Sequence, residues 1–237
     1  MAKKTPFLKQ KYIAIQERWS DGIETSGQRI LAHIDAVLGD HSFFRTFWSN
    51  LYQLDTNAWR SNQPSPRRIR KLAEMGIKTI INLRGVSRWG SYALEKEACE
   101  KYGIRLINHR MYSRRMPTVD ELHETKALFD SLNEPALFHC KSGADRAGIC
   151  SALYILMKKQ GSIDEAINQL SFKYLHIKHS KTGRLDFFLE SYRKFNQHTP
   201  IEFMDWVEHH YDCDKLTEEF HSGQWYDWFV DKVLNRE

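Results

Sequence analysis

From about residue 51 onward, the chain alternates short apolar runs with longer amphipathic stretches. Short apolar runs rich in β-branched residues are typical of buried strands, and the stretches between them have helical periodicity. The predicted strands are Leu51–Leu54, Ile77–Leu83, Ile104–Asn108 and Ala136–Phe138. The predicted helices are Arg67–Met75, Ser91–Tyr102 and Ile149–Met157. This alternation predicts an α/β fold with a central, mostly parallel sheet flanked by helices.

Turn and capping residues mark where some of these elements begin. Residues 60–66, Arg-Ser-Asn-Gln-Pro-Ser-Pro, are rich in turn-forming residues and precede the first of the predicted helices. Thr118 is followed three positions later by Glu121, which is the spacing of a capping box at a helix N-terminus. A further helix is therefore predicted to begin after Thr118.

The first 50 residues are predicted to be a helical extension. Apolar residues recur at helical spacing on both sides of a break near Ser26. They are Leu8, Tyr12, Ile15, Trp19 and Ile23 before the break, and Ile30, Leu31, Ile34 and Leu38 after it. We expect an amphipathic helix pair that packs on the core. The alternative is a helix that contacts a membrane surface or a partner, because basic residues lie beside the aromatic ones.

Residues 199–237 are predicted to form a second helical extension with an unusual density of aromatic side chains. These are Phe203, Trp206, Tyr211, Phe220, Trp225, Tyr226, Trp228 and Phe229. We expect the rings to pack against the rest of the chain or against a second copy of it. The predicted division is therefore an N-terminal extension over 1–50, an α/β domain over 51–198 and a C-terminal extension over 199–237.

Composition excludes several classes of protein. With 237 residues, 41% hydrophobic and 27% charged, the chain is globular rather than collagen-like, low-complexity or wholly disordered. No apolar run has the roughly 18 to 20 residues of a membrane span, and no signal-like region follows Met1, so a cytoplasmic location is expected. The four cysteines are too few for a disulfide framework, and free thiols are expected.

The net charge of +5 suits an anionic substrate or surface without identifying one. Nucleic acid is not an expected partner, because no known binding module is visible.

The segment His139–Gly148 carries the strongest chemical signal. It lies between a predicted strand and a predicted helix, and it places Cys140 six positions before Arg146. A loop that bends into a helix N-terminus can hold phosphate oxygens through its backbone amides, which here belong to Lys141, Ser142, Gly143 and Ala144. Gly143 would let the backbone bend around the anion, and Arg146 would grip two phosphoryl oxygens with its planar fork.

Cys140 is the candidate nucleophile of this loop. The field that attracts phosphate also stabilises a thiolate, so the thiol is expected to attack phosphorus at neutral pH. Water would then hydrolyse a phosphocysteine intermediate. His139 is expected to orient the loop by hydrogen bonding. No metal or other cofactor is required, because Arg146 and the amides supply the positive charge.

At these residues the chain resembles the cysteine-dependent protein tyrosine phosphatase superfamily, in particular its compact bacterial-type, dual-specificity-like members. The resemblance rests on His139–Gly148 and more loosely on Thr79–Arg84, and it covers about residues 51–195. It implies a central sheet with the cysteine loop at its edge and a thiol-phosphate intermediate. The substrates that it implies range from phosphotyrosine to phosphoinositides and other phospholipids.

The general acid is less obvious. Many relatives carry an aspartate on a loop some thirty residues before the nucleophile, but residues 108–117 of this chain contain no carboxylate. Two candidates remain, Asp145 within the cysteine loop and Asp120 at the start of the following predicted helix. Asp145 is favoured, because in some relatives an aspartate that directly precedes the arginine has been assigned the role of general acid. The alternative is that Asp145 only satisfies loop amides or pairs with a basic neighbour.

Basic residues near the loop suggest substrate contacts. Arg114 and Arg115, with Lys141, would favour a substrate with several phosphates or an anionic surface, unless they are ordinary solvated charges. Lys181 and Arg184 are weaker candidates in the polar stretch 176–186, whose histidines we interpret as surface or loop-bracing groups.

The leading hypothesis is a metal-independent phosphomonoester hydrolase of the protein tyrosine or dual-specificity type. A phospholipid or phosphoinositide phosphatase with the same mechanism is the first alternative, and the N-terminal helix would then contact a membrane. A catalytically silent phosphate-binding module is the second, and sulfur transfer or arsenate reduction the third. The intact pair Cys140 and Arg146 favours an active enzyme.

Overall fold

The computed structural model describes Trp19 and residues 22–178 and 182–221. The chain divides into two compact units. The first consists of Met1–Arg110 and Glu134–Ser142, and the second of Met111–Asn133 and Gly143–Glu237.

A five-stranded sheet lies entirely within the first unit. Its strands are β1 (Tyr52–Gln53), β2 (Ala58–Asn62), β3 (Thr79–Asn82), β4 (Arg105–Asn108) and β5 (Ala136–Cys140). They are ordered β1-β2-β5-β3-β4, with β1 antiparallel to β2 and all other neighbours parallel. The predicted α/β fold with a mostly parallel sheet is confirmed.

Strand β2 corrects the interpretation of residues 60–66 as a turn-rich segment. Ala58–Asn62 pairs in parallel with β5, so that Asn62 lies opposite Cys140. Arg60, Ser61 and Asn62 are all buried, although their side chains are polar. The polar sequence at these positions gives no sign of a strand, although the strand pairs with β1 on one side and β5 on the other. Only Gln63–Ser65 connects it to the next helix.

Helices α1 (Ser26–Leu38), α2 (Phe43–Phe47), α3 (Pro66–Glu74) and α4 (Gly90–Tyr102) belong to the same unit. A core of apolar side chains joins α3 and α4 to the sheet. It contains Ile69, Leu72, Ile77, Ile80, Ala98, Cys99, Ile104 and Leu137. The predicted helices over 67–75 and 91–102 are therefore confirmed, and their apolar faces pack against β3 and β5.

Helix α1 forms where the sequence predicts it but buries a different face. Ala32 and Ala36 are buried, whereas Ile30, Ile34 and Leu38 are exposed. The reason is a close approach of two backbones, because a Cβ added to Gly90 would lie 2.4 Å from the carbonyl oxygen of Ala32. Only small residues fit such a contact, so the expectation that the large apolar side chains pack on the core is wrong for this helix.

The second unit is helical. Its elements are α5 (Val119–Ser131), α6 (Asp145–Tyr154) with a π-helical continuation over Ile155–Lys159, α7 (Ile163–Ile167), a 3₁₀ turn (Phe172–Tyr174), α8 (Arg184–His198), α9 (Phe203–His209) and α10 (Cys213–His221). The capping box at α5 is confirmed, since Thr118 Oγ1 accepts from the Glu121 amide at 3.2 Å and Glu121 Oε2 accepts from the Thr118 amide at 3.0 Å.

Aromatic side chains form the core of this unit around α8. The ring of Phe188 is fully buried and contacts Phe203, Trp206 and Tyr211 at centroid distances of 5.1 to 6.1 Å. The rings predicted at Trp225, Tyr226, Trp228 and Phe229, like Leu8, Tyr12 and Ile15 near the other end, lie outside the described residues. The three-part division of the chain stays a prediction.

Among the residues that the structure describes, no helix is long and apolar enough to cross a membrane.

Candidate active site

Cys140 is the last residue of β5, and Asp145 and Arg146 begin α6. Lys141–Ala144 form the connecting loop. Gly143 in this loop has φ of 77°, a left-handed conformation that glycine adopts without the strain that a side chain would add. The sequence predicts such a bend at this position. Cys140 is 2% exposed, whereas Ser142, two residues later, is exposed.

Hydrogen bonds within the first unit fix the backbone on both sides of Cys140. The carbonyl oxygen of His139 accepts from the amide of Leu83 at 2.9 Å. On the other side, the carbonyl oxygen of Ser142 accepts from Nδ2 of Asn50 at 3.1 Å. Asn50 itself has a left-handed backbone, with φ of 48°. The position of the nucleophile is therefore set by segments that are distant in the sequence.

A buried polar cluster lies beside these residues. Nε2 of His139 is 2.6 Å from Oε1 of Glu95, and both side chains are fully buried. Gln63 donates to the other carboxylate oxygen of Glu95 at 2.8 Å and accepts from Arg84. The imidazole that precedes the nucleophile therefore lies against a buried carboxylate. The predicted role of His139 in orienting the loop stays a prediction.

The cluster continues to a centre of buried charge at Asp40. Arg84 donates to both of its carboxylate oxygens, at 2.7 and 2.9 Å. Arg45 and Ser91 donate to Oδ2 at 2.9 and 2.7 Å, and Nζ of Lys141 lies 3.2 Å from Oδ1. Burial opposes the ionised carboxylate, but the hydrogen bond and charge of Arg84, with Arg45, hold the pKa of Asp40 well below its usual range.

We call Asp40, Arg45, Arg84 and Lys141 the Asp40 centre. In the sequence, Arg84 is only the end of a strand motif, and no role is predicted for Asp40. Lys141 is predicted to contact the substrate, and the structure gives its ammonium group a carboxylate partner. The substrate role of Lys141 stays a prediction. A helix followed by a lone aspartate carries no sequence signal that would have revealed this centre.

A second centre of buried charge lies within the other unit, at Asp145. Nδ1 of His176 is 2.7 Å from Oδ1 of Asp145, and Nε2 is 2.6 Å from Oδ2 of Asp186. The side chains of His176 and Asp186 are 0% and 1% exposed, against 30% for Asp145. We call Asp145, His176 and Asp186 the His176 centre. Full burial excludes the first of the two interpretations of His176, a surface group, and leaves the second, a group that braces a loop.

The His176 ring is held in its charged form. Burial disfavours the charge, but the hydrogen bonds and charges of Asp145 and Asp186 outweigh it and raise the pKa of His176 to about 9. The backbone contributes to this placement, because Leu175 has φ of 64° and turns the chain directly before the ring. The stretch 176–186 stands out in the sequence as polar and basic, but nothing in it indicates that His176 and Asp186 meet Asp145.

Two of the remaining predicted residues, Arg115 and Arg184, have hydrogen-bond partners within the protein. Arg115 donates to Glu121 Oε2 at 2.8 Å, and its guanidinium lies 4.0 Å from the ring centroid of Tyr112. Arg184 donates to the carbonyl oxygen of Arg114. The substrate contacts proposed for these arginines stay predictions, as does the alternative acid, Asp120, in the first turn of α5. Lys181 lies outside the described residues.

In the described part of the chain, no group of three or more His, Cys, Asp or Glu side chains has an arrangement that could hold a metal ion.

A mostly parallel sheet whose strand β5 ends in a Cys-to-Arg loop before a helix defines a phosphatase of the protein tyrosine phosphatase-like superfamily. The profile of the family described as DSP-PTPase phosphatase fused to NAD+ kinase matches residues 47–184, and the chain belongs to that family. A search of curated proteins finds no match.

Solved structures that match this chain include a DUF442 protein from Shewanella putrefaciens CN-32, at 18% identity and a TM-score of 0.49, covering 64% of this chain and 97% of that one. P. aeruginosa TpbA matches at 16% identity and a TM-score of 0.48, covering 62% of this chain and 90% of that one. The core catalytic domain of the PP-IP phosphatase SIW14 from S. cerevisiae matches at 19% identity and a TM-score of 0.48, covering 64% of this chain and 93% of that one.

Proposed function

We propose that the protein is a metal-independent phosphomonoester hydrolase that acts through a phosphocysteine intermediate. The observation that carries this proposal is the loop from Cys140 to Arg146 between β5 and α6, in a chain whose residues 47–184 match a phosphatase family. The loop combines a cysteine at a strand end, a left-handed glycine and an arginine in the first turn of a helix. Each of these suits the binding of a phosphoryl group.

In the first step, the thiolate of Cys140 attacks phosphorus in line with the leaving oxygen. The S–P bond forms as the P–O bond to the alcohol breaks, and the bonding electrons pass to the leaving oxygen. Arg146 and the loop amides hold the other phosphoryl oxygens, whose charge they stabilise in the transition state.

Asp145 donates the proton that the leaving oxygen requires, and its carboxylate then takes a proton from the water that attacks phosphocysteine. The support for this assignment is the position of Asp145 directly before Arg146 and its partial exposure. The second step releases inorganic phosphate and restores the thiolate.

The substrate class that we propose is a phosphoprotein, with phosphotyrosine first and phosphoserine or phosphothreonine second. The support is the family itself, whose description names dual-specificity and tyrosine phosphatases. A panel of phosphopeptides, phosphoinositides and phosphatidylglycerophosphate, assayed on one preparation by phosphate release, tests this choice. Preference for a lipid by about tenfold or more in kcat/KM would overturn it, since that corresponds to more than about 1 kcal/mol of transition-state binding.

Replacement of the nucleophile tests the chemistry. Cys140→Ser should lower the hydrolysis of p-nitrophenyl phosphate by more than about a thousandfold, because serine is not ionised at neutral pH. Cys213→Ser is the matched control, since Cys213 is a partly exposed free thiol in α10. EDTA should leave the rate unchanged. Binding of vanadate or phosphotyrosine without turnover in the natural chain would instead identify a silent phosphate-binding module.

Alkylation tests whether Cys140 is ionised and reachable, independently of turnover. In the Cys213→Ser protein, iodoacetate should modify Cys140 at neutral pH, and inorganic phosphate should slow the reaction. Cys99 is the internal control, because burial and the nearby Glu95 raise its pKa well above the ordinary range. Peptide mass mapping identifies the modified residue. Modification of Cys99 at the same rate as Cys140 would contradict an activated nucleophile.

A further inference from the structure

The His176 centre places two groups behind the residue that we assign as the general acid. Asp145 begins α6, His176 follows the 3₁₀ turn at Phe172–Tyr174, and Asp186 lies in the first turn of α8. The three side chains therefore come from three separate elements of one unit, and two hydrogen bonds join them in a row.

The number of N–H groups on an imidazole limits what this row can be. A neutral ring has one N–H donor and one acceptor nitrogen, whereas the charged ring has two donors. His176 contacts a carboxylate through each nitrogen, at 2.7 and 2.6 Å. Oδ1 of Asp145 can accept a hydrogen bond whether or not Oδ2 carries a proton, and two accepting oxygens can both be satisfied only by the charged ring. Its two hydrogen bonds are then charge-assisted, the strong kind in a buried setting.

The exposure of the three side chains gives the row a direction. His176 and Asp186 are completely buried, and only Asp145 reaches solvent. Its Oδ1 is bound to His176, so Oδ2 is the oxygen left to meet a substrate. One fixed oxygen also restricts the rotation of the carboxyl group, which places Oδ2 before a leaving group arrives.

We propose that His176, held from behind by Asp186, is a positioning residue that aims Oδ2 of Asp145 at the leaving oxygen and stabilises the carboxylate formed when that proton is delivered. This inference rests on the proposed function. In the step concerned, the proton moves from Oδ2 to the oxygen that has taken the P–O bonding electrons, and Asp145 becomes negative. A neighbouring imidazolium stabilises that charge, and it needs no reorganisation because both of its bonds already exist.

The competing explanation is purely structural: the ion pairs pin the start of α6 to the chain around residue 176. Leaving groups separate the two explanations. p-Nitrophenolate departs without a proton, whereas the phenol oxygen of tyrosine, with a pKa of about 10, requires one. A fault in proton delivery therefore lowers kcat/KM for a phosphotyrosine peptide and spares it for p-nitrophenyl phosphate, because kcat/KM reports the formation of phosphocysteine. The later hydrolysis of phosphocysteine, which Asp145 assists as a base, is common to both substrates and does not enter kcat/KM. A structural fault lowers kcat/KM for both substrates.

His176→Gln is the first variant, because a glutamine amide can still donate to Asp186 but does not replace the bond to Asp145. We expect kcat/KM for the phosphotyrosine peptide to fall by about ten- to a hundredfold, and kcat/KM for p-nitrophenyl phosphate to fall by less than about threefold. His123→Gln is the matched control, since His123 is an exposed histidine on α5. It should behave as the natural chain does.

A double-mutant cycle adds a second readout. In Asp145→Asn the acid is already absent, so adding His176→Gln should reduce kcat/KM for the peptide by less than about threefold more. Multiplicative losses, or equal losses of kcat/KM on both substrates, would overturn the proposal. Alkylation of Cys140 at the natural rate shows that the variant is folded.

If His176→Gln does not fold, Asp186→Asn decides, because it leaves the ring in place and removes the charge that holds it from behind. The same selective loss, at reduced size, is expected. Absence of selectivity there would overturn the proposal. Selective loss in Asp145→Asn without it in the His176 and Asp186 variants overturns this inference alone. Equal losses of kcat/KM in Asp145→Asn on both substrates remove the acid assignment and this inference with it.

Discussion

At the Asp40 centre, one buried carboxylate faces two guanidinium groups and an ammonium group, whereas at the His176 centre one buried imidazolium faces two carboxylates. Each centre lies within its own unit, and each adjoins one end of the loop that carries the candidate chemistry. The signs of the charges are opposite. The pKa of the central group is lowered in the first and raised in the second.

The two ends of the loop therefore lose their stabilising charges at opposite extremes of pH. The group at Asp40 must stay ionised and does so down to unusually low pH. The group at His176 must stay protonated and does so up to unusually high pH. Near neutral pH both conditions are met, and both ends of the loop are held in place.

The largest effect is expected from removing the charge at Asp40. Asp40→Asn leaves the guanidinium groups of Arg45 and Arg84 mostly buried without a carboxylate, which typically costs about 3 to 5 kcal/mol of unfolding free energy. Urea unfolding measures this loss. Glu74→Gln is the control, because its pairing with Arg70 at 3.5 Å is exposed and should be worth well under about 1 kcal/mol.

The difference in stability between the natural chain and Asp40→Asn should shrink as pH falls. Because its folded pKa lies below the unfolded value, Asp40 stabilises fully above the unfolded value and loses this contribution as acid protonates it. A constant difference down to the acid unfolding limit would contradict an ionised Asp40.

The next effect concerns alkaline pH and His176. Its pKa rises from 6.5 to about 9 on folding, so its contribution is complete below about pH 6.5 and is lost as pH rises through about 9. The linkage relation gives on the order of 3 kcal/mol. Denaturant midpoints from about pH 6 to 10 should show this decline in the natural chain and a flatter profile in His176→Gln. Parallel profiles would show that the ring is not charged in the folded state.

The smallest effects are expected at two partly exposed lysines, Lys141 of the Asp40 centre and Lys178 beside the His176 centre. Lys141 is 43% exposed with its ammonium 3.2 Å from Asp40, and Lys178 is 39% exposed at 3.9 Å from Asp186. Lys141→Met should cost less than about 1 kcal/mol, and Lys178→Met should be close to neutral. Equal urea midpoints for the two variants would show that the free energy of unfolding does not depend on these two ion-pair distances. A larger loss for Lys178 would reverse the ranking.

The sequence predicts the elements whose side chains follow the rules of burial. Strands β3 and β5 each contain an apolar run, at residues 80–81 and 136–138, and Thr118 and Glu121 have the spacing of a capping box before α5. These three elements therefore lie at or near their predicted positions. Strand β2 is not predicted from the sequence, because its buried side chains include the polar ones of Arg60 and Asn62. Polar burial depends on partners elsewhere in the chain, and no local pattern contains that information.

The same limit applies to the candidate site. Cys140, Gly143 and Arg146 lie within seven consecutive residues, so the sequence alone is enough to locate the loop. Asp40 and His176 act through residues 44 and 31 positions away, Arg84 and Asp145. Spacing of that kind is set by the fold. Helix α1 shows a further limit, because its alanine face is buried only where Gly90 lets two backbones meet.

Leu175 has a consequence for engineering. An exposed leucine in a left-handed conformation costs about 1 kcal/mol or more, which glycine at the same place would not. The strained backbone of Leu175 thus sets the direction in which the His176 ring leaves the chain, although the leucine side chain has no part in the chemistry. Leu175→Gly would remove the backbone strain from the folded chain and would also raise the conformational entropy of the unfolded chain. The stability of this turn could therefore be changed without altering any ionisable group.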